Sequence, residues 1–284
     1  MRFSIRTKLI VLLVAVALLP LLAALLVIVI GERQIRSRIF RQGMLSMVTS
    51  EARVMETELE KDIELLRVAL QEPQVVNYLQ KSKSVSSSEA GRLDREWANL
   101  PVNEGLLQDI LQNEIASVLR VIQRENTLLA ELIVTNKEGQ LVAATNRTSD
   151  FYQADELWWQ RSYNKGKGNI YLPQVTYDQS AGVWAREICI PITDDKSVIG
   201  VAKAVLALKR WLPDATRNLG GSWANLVILG ERGSILYDKD ILEQRSLPLR
   251  RRYKCWESLV RVGPRGACRI TNNAIEAYAP MLIK

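Results

Sequence analysis

The chain has 284 residues, 48% apolar and 24% charged, with a net charge of +7 and no histidine. The missing imidazole removes Ser-His-Asp and Cys-His nucleophiles, histidine-ligated metals and a phospho-accepting histidine. The basic excess gathers at Arg2, Arg6 and Lys8, at Arg33, Arg36, Arg38 and Arg41, and at Arg250, Arg251, Arg252 and Lys254. No stacking aromatics are interleaved with it, so the expected partner is a lipid bilayer and not nucleic acid.

Leu9 to Ile30 carries no charged or strongly polar side chain. At 1.5 Å per residue this run spans roughly 33 Å, enough to cross a hydrocarbon core. It is longer than a signal-peptide core, so an uncleaved transmembrane helix is expected over 9–31, with residues 1–8 as a cytoplasmic tail. Arginines flank both ends, which leaves the positive-inside count ambiguous. The short tail and the long following domain favour an extracytoplasmic C-terminal part, held by a single pass in the cytoplasmic (inner) membrane.

Residues 32–128 read as a helical stalk. Ile35, Ile39, Val48, Met55, Leu59, Ile63 and Leu66 recur at helical spacings over Glu32 to Leu79, with Pro73 as an interruption. That stripe packs on its own domain or forms the seam of a homodimer. Lys81 to Glu89 reads as a polar loop. Leu107, Leu111, Ile115, Val118 and Ile122 draw the apolar face of a second helix, Gly105 to Asn126.

Strands are expected at Leu129–Thr135, Gln140–Thr145, Asn169–Gln174, Val183–Ile192 and Ser197–Leu208, with a short helix at Asp155–Tyr163. They make residues 129–208 a five-stranded antiparallel module. A weaker copy follows over 209–284. Lys209–Leu219 is its connecting helix, and Val227-Ile228-Leu229-Gly230-Glu231-Arg232-Gly233-Ser234-Ile235-Leu236 repeats the plan of Ile133-Val134-Thr135-Asn136-Lys137-Glu138-Gly139-Gln140-Leu141-Val142. The copy looks unfinished, because Ala277 to Lys284 reads as a strand beginning.

Of the three cysteines, Cys255 and Cys268 bracket a loop containing Gly263, Pro264 and Gly266. Outside the cytosol they are expected to form a disulfide, the alternative being two free thiols. Cys189 lies between Ile188 and Ile190 and reads as a small buried hydrophobe.

Residues 151–184 hold Phe151, Tyr152, Trp158, Trp159, Tyr163, Tyr171, Tyr177 and Trp184, out of 7 Trp, 8 Tyr and 3 Phe in the whole chain. Such density suits the wall of a ligand pocket or the core of a small sheet. Trp158, Trp159, Tyr171, Tyr177, Asp178 and Arg186 are the candidate ligand-binding residues. Glu156 and Asp178 beside tryptophans point to a cationic or neutral polar ligand. No nucleophile–base pair, phosphate loop or metal-ligand spacing stands out, so no catalytic residue, metal or cofactor is expected and the chain is not read as an enzyme.

Asp150-Phe151-Tyr152, Glu156-Leu157-Trp158-Trp159, Gly182, Pro191-Ile192 and Val198-Ile199-Gly200-Val201 occur in an order that resembles the double Cache sensor domain of bacterial transmembrane receptors. The resemblance covers roughly Glu32 to the end. It implies an α+β fold: a transmembrane helix, a long stalk helix, a membrane-distal PAS-like sheet module and here an incomplete membrane-proximal one. It also implies small-ligand sensing outside the cytoplasm, with a second membrane helix and an output domain beyond this sequence. One subfamily grips amino acids through Arg-x-Trp-Tyr, Tyr-x-Asp and a later aspartate. Here those positions read Glu156, Trp158 and Trp159, then Thr176 and Asp178, then Val205, so the carboxylate-gripping arginine and one ammonium-binding aspartate are absent. The expected function is the ligand-sensing portion of a signalling receptor. A signal-anchored envelope protein that binds a partner protein is the alternative.

Overall fold

The computed structural model describes residues 5–101, 104–173, 175–195, 197–208, 227–229, 235–238, 266–271 and 274–278. It divides into two compact units, Met1–Arg53 with Tyr253–Leu282, and Val54–Arg252 with Ile283–Lys284.

Helix α1 runs without interruption from Ile5 to Leu70 and contains Pro20. Along its apolar stretch Leu12, Leu19 and Leu25 are 63%, 65% and 58% exposed. A helical stretch that hides none of its leucines inside the protein suits an apolar solvent. Among the described residues it is the one helix long and apolar enough to cross a membrane.

In the larger unit the character of α1 changes. Met55, Leu59, Leu66 and Leu70 are buried at four-, seven- and four-residue steps, the period of one helical face. Each such side chain contributes about 1.5–3 kcal/mol when fully covered. Asp62 shares that face and accepts a hydrogen bond from Asn126 Nδ2 at 3.3 Å. The helix stops at Leu70, just before the interruption expected at Pro73. Pro73 opens a new helix, α2 (Pro73–Lys81), because its missing N–H is harmless in a first turn.

The expected polar loop contains a further helix start. Ser86 accepts a hydrogen bond from the Glu89 amide and caps α3 (Ser87–Trp97). The single helix expected over 105–126 is two, α4 (Gly105–Gln112) and α5 (Glu114–Glu125). Asn113 divides them. Its Oδ1 accepts from the Ala116 amide at 2.8 Å, and its Nδ2 donates to the Val142 carbonyl at 2.9 Å.

The sheet comprises β1 (Leu129–Asn136), β2 (Leu141–Ala144), β3 (Thr176–Asp178), β4 (Val183–Thr193) and β5 (Val198–Ala207). All neighbours are antiparallel, in the order β2-β1-β5-β4-β3. The strand expected at 169–174 is reduced to one bridge, Tyr171 to Cys189. Thr176–Asp178 is the strand that pairs along this edge. Helix α6 (Leu157–Tyr163) precedes it and ends at Asn164, which adopts the left-handed conformation.

Two glycines are dictated by close approach. Gly139 has φ +77° in the β1–β2 turn, and a Cβ there would sit 2.4 Å from Ala154 Cβ. A Cβ on Gly200 would sit 2.3 Å from the Thr135 carbonyl oxygen, so β5 can lie against β1 only without a side chain there.

Alternation gives the sheet two working faces. Ile133, Cys189 and Val201 share a core with Leu93 and Trp97 of α3, Leu107 and Ile110 of α4, and Trp158 and Trp159 of α6. The intervening residues Leu132, Val134, Ile188, Ile190, Ala202 and Ala204 are also buried. Helices α5 and α2 contact β1 and β5 respectively.

Further along, β6 (Val227–Leu229) pairs antiparallel with β7 (Ile235–Asp238). Its partners Val227↔Asp238, Ile228↔Tyr237 and Leu229↔Ile235 reproduce Ile133↔Ala144, Val134↔Ala143 and Thr135↔Leu141, with the register break at the same place. The remaining described strands, β8 (Gly266–Thr271) and β9 (Ala274–Tyr278), form a hairpin. The helix expected at 209–219 lies outside the described residues. So does Cys255, and with it the expected bridge to Cys268. Cys189 is free and buried.

The architecture is α+β: a long apolar N-terminal helix, then an antiparallel sheet with helices on both faces.

Candidate ligand-binding site

Helix α6 is held over the sheet by polar contacts from α3. Asp94 Oδ1 accepts from the amides of Phe151 and Tyr152 at 3.0 and 2.8 Å. Trp97 is fully buried, and its Nε1 donates to the Thr148 carbonyl and hydroxyl at 3.0 and 3.1 Å. These bonds fix the chain that leads into α6. Its Trp159 then stacks on Tyr163, with centroids 4.5 Å apart, and donates from Nε1 to Thr135 Oγ1 at 2.9 Å.

Trp158 faces a charged cluster that grows from three strands. Lys203 of β5 places Nζ 5.2 Å from the Trp158 ring centroid. The same nitrogen lies 3.8 Å from Asp178 Oδ2 and 3.7 Å from Glu187 Oε1. The three side chains are 11%, 5% and 13% exposed, so the ammonium sits between two carboxylates and an aromatic face, largely out of water. Burial alone would lower the Lys203 pKa, but Glu187, Asp178 and Glu131 outweigh it and hold the amine above its ordinary value. Burial raises the Glu187 carboxyl, and Lys203 partly opposes that.

Glu131 of β1 completes the cluster and is fully buried. Ser180 Oγ lies 2.8 Å from Glu131 Oε2 and 2.7 Å from Asp178 Oδ1. One hydroxyl owns one proton, so Ser180 donates to one of the two carboxylates at a time unless an acid brings a second proton. Glu131 can bring it. Burial pushes its pKa up to about 7, with the Ser180 hydroxyl and Lys203 opposing the rise and Asp178 and Glu187 adding to it. Below that pH a protonated Glu131 can donate to Ser180 while Ser180 donates to Asp178, which also accepts from the Ala181 amide at 2.9 Å. The other Glu131 oxygen, Oε1, is buried with no hydrogen-bond partner.

Four of the six sequence-predicted ligand residues lie on the α6 side of the sheet. Trp158, Trp159 and Tyr171 belong to the core on that face or pack against it, and Asp178 carries the cluster. The register sends the other two away. Tyr177 pairs with Trp184, and Arg186 is adjacent to Glu187 in β4, so Tyr177, Trp184 and Arg186 point to the opposite face. Tyr177 and Trp184 meet there edge to face, 5.8 Å apart, and Tyr177 is 43% exposed.

Glu131, Ser180, Glu187 and Lys203 escaped the sequence reading. The signal of the three charged ones is a charge in the middle of an otherwise apolar strand, while Ser180 lies in the β3–β4 turn. Val205 stands where the resemblance expects an acid, and its neighbours across the sheet are acids. Glu131 and Glu187 are the two cross-strand partners of Val205, one on each side.

A cavity of about 650 Å³ opens elsewhere, lined by Asn77 and Tyr78 of α2, Asp109 and Ile110 of α4, and Asn136 and Gln140 of the β1–β2 hairpin, among others. None of the six candidate residues lines it. Among the described residues no group of three or more acidic or cysteine side chains converges closely enough to hold a metal ion.

No protein-family model matches the sequence, and no curated protein matches it. Solved structures do match. The extracellular domain assigned to the histidine kinase rpHK1S-Z16 aligns over 83% of this chain and 86% of its own, at 13% identity and a TM-score of 0.50. The ligand-binding domain of the Pseudomonas fluorescens chemoreceptor CtaA, solved with L-isoleucine, aligns over 77% and 75% at 14% identity, TM-score 0.47. That of the Pseudomonas aeruginosa amino-acid chemoreceptor PctC, solved with GABA, aligns over 71% and 77% at 14% identity, TM-score 0.43. The chain shares the fold of the rpHK1S-Z16 extracellular domain, which is consistent with the Cache-like α+β architecture that the order of its motifs implies.

Proposed function

We propose that this chain is the extracytoplasmic ligand-sensing portion of a transmembrane signalling receptor, a binding module and not a catalyst. The observation that carries the reading is the buried Glu131–Ser180–Asp178–Lys203–Glu187 cluster beneath Trp158. Buried charge is costly to a fold, and a site that keeps this much of it under an aromatic wall is built to recognise a polar molecule. The shared fold with an extracellular kinase domain and the exposed apolar length of α1 support the setting. On this reading α1 anchors the chain in the cytoplasmic membrane, and Ile35 and Ile39, 62% and 64% exposed, meet their counterparts in a homodimer. A ligand between α6 and the sheet would shift both against the stalk by an ångström or two, the scale of known receptor transitions.

The test is a thermal-shift screen of the full chain in detergent micelles against a metabolite library, repeated with Trp158→Ala. A ligand whose shift disappears in the variant supports the reading. A ligand that shifts both proteins equally refutes this site.

A further inference from the structure

We propose that Asp178, Glu187 and Trp158 form an ammonium-recognition box which the chain fills with its own Lys203, so that primary amines are barred and the sensed molecule brings no ammonium group to that end of the site. The proposal rests on the sensor reading above and narrows its ligand class.

Three facts point this way. The Lys203 nitrogen meets two carboxylates and a tryptophan face together, the set of groups that selects a primary ammonium over a neutral donor. Its distances of 3.7 and 3.8 Å to the carboxylates exceed hydrogen-bond length, so the ammonium is caged by charge and not locked by short bonds. Finally, the acids outnumber the cation. Asp178 and Glu187 both flank one lysine, and Glu131, joined to Asp178 through Ser180, keeps Oε1 buried without a donor. A structural ion pair needs one acid. A box of two acids and a ring suits a cation that can be exchanged for another. A ligand entering beside Lys203 meets a full cation site and one open acceptor, which favours a neutral hydrogen-bond donor over an amine.

The geometry supplies its own probe. Truncating Lys203 to alanine removes three methylenes and the ammonium, which together are n-propylammonium. The full chain in detergent micelles, as wild type and as Lys203→Ala, is melted with n-propylammonium chloride, with n-propanol, and with sodium chloride at matched ionic strength. The expected result is a saturable rise in the Tm of Lys203→Ala of about 3–6 °C at roughly ten times Kd, with propanol and salt inactive and the wild type unmoved. Propylammonium that leaves the variant unmoved, or that moves wild type and variant alike, overturns the proposal. So does propanol that matches it.

Should Lys203→Ala fail to fold, reductive methylation of the wild type decides. Lys203 stays unmodified while the exposed Lys165 and Lys167 react if the box is filled. Lys203 reacting as fast as they do overturns the assignment. The two readings fail separately: a metabolite screen without hits leaves the propylammonium result standing, and an inert variant leaves a Trp158-dependent ligand standing.

Discussion

Replacing Glu131 by glutamine tests the proton count at the cluster. Glu131 has its pKa raised to about 7 in the folded chain, from an ordinary value of 4.5. In that window the folded state holds a proton that the unfolded chain has released, so stability falls as pH rises from the unfolded value through the folded one. The displacement corresponds to a penalty of roughly 3 kcal/mol at about pH 8, and below roughly 1 kcal/mol at about pH 5. Glutamine keeps the shape of the protonated acid and still donates to Ser180, but it has nothing to ionise. Glu131→Gln should therefore stay within roughly 1 kcal/mol of the wild type at about pH 5 and exceed it by roughly 3 kcal/mol at about pH 8. Urea melts of the full chain in micelles, followed by tryptophan fluorescence, measure the gap. Comparing the two proteins cancels the slopes from Glu187, Asp62 and Asp150, which burial also raises in both. A gap that stays constant between the two pH values would show that Glu131 is ionised throughout and that the second proton at Ser180 lies elsewhere.

Other perturbations probe the frame around the cluster. Gly200→Ala drives a Cβ into the Thr135 carbonyl and should cost about 1–3 kcal/mol or more, read as a lower urea midpoint; an unchanged midpoint would mean that β1 and β5 are not so close. Trp97→Phe leaves a smaller aromatic ring and strands the Thr148 acceptors, for a loss of about 1–3 kcal/mol or more in the same assay. Tyr177→Ala should leave the response to any Trp158-dependent ligand intact, since its side chain lies on the other face. A ligand response lost in that variant would overturn the register of β3. The chain should stay with the membrane pellet through alkaline carbonate extraction and leave it when residues 9–30 are deleted; a full chain released by carbonate refutes the anchor.

The parts of the fold legible in the sequence are those set by one strong local signal. The uncharged run from Leu9 needed only composition. Strands β1, β4 and β5 showed as apolar stretches between turn residues. Helix α3 was missed because its start was read as a serine-rich loop, although Ser86 three residues before Glu89 is a capping signal. The break between α4 and α5 is one asparagine whose side chain reaches β2, a long-range contact that leaves the periodicity of Leu107 to Ile122 undisturbed. At the site, the aromatics drew the reading toward Tyr177 and Arg186. Residue types do not reveal register, and a shift of one position turns a side chain to the other face. Lys203, Glu131 and Glu187 are visible only as interruptions of apolar strands, and their meaning depends on four strands lying side by side.

The matching registers of β1–β2 and β6–β7 separate backbone from chemistry. Two stretches of one polypeptide bend at the same rung, yet where the first hairpin holds Thr135 the second has Leu229. One hairpin plan occurs twice, while the hydroxyl that accepts from Trp159 Nε1 belongs to the first. Grafting a threonine onto position 229 would therefore ask whether the later hairpin can be given the polar contact of the earlier one.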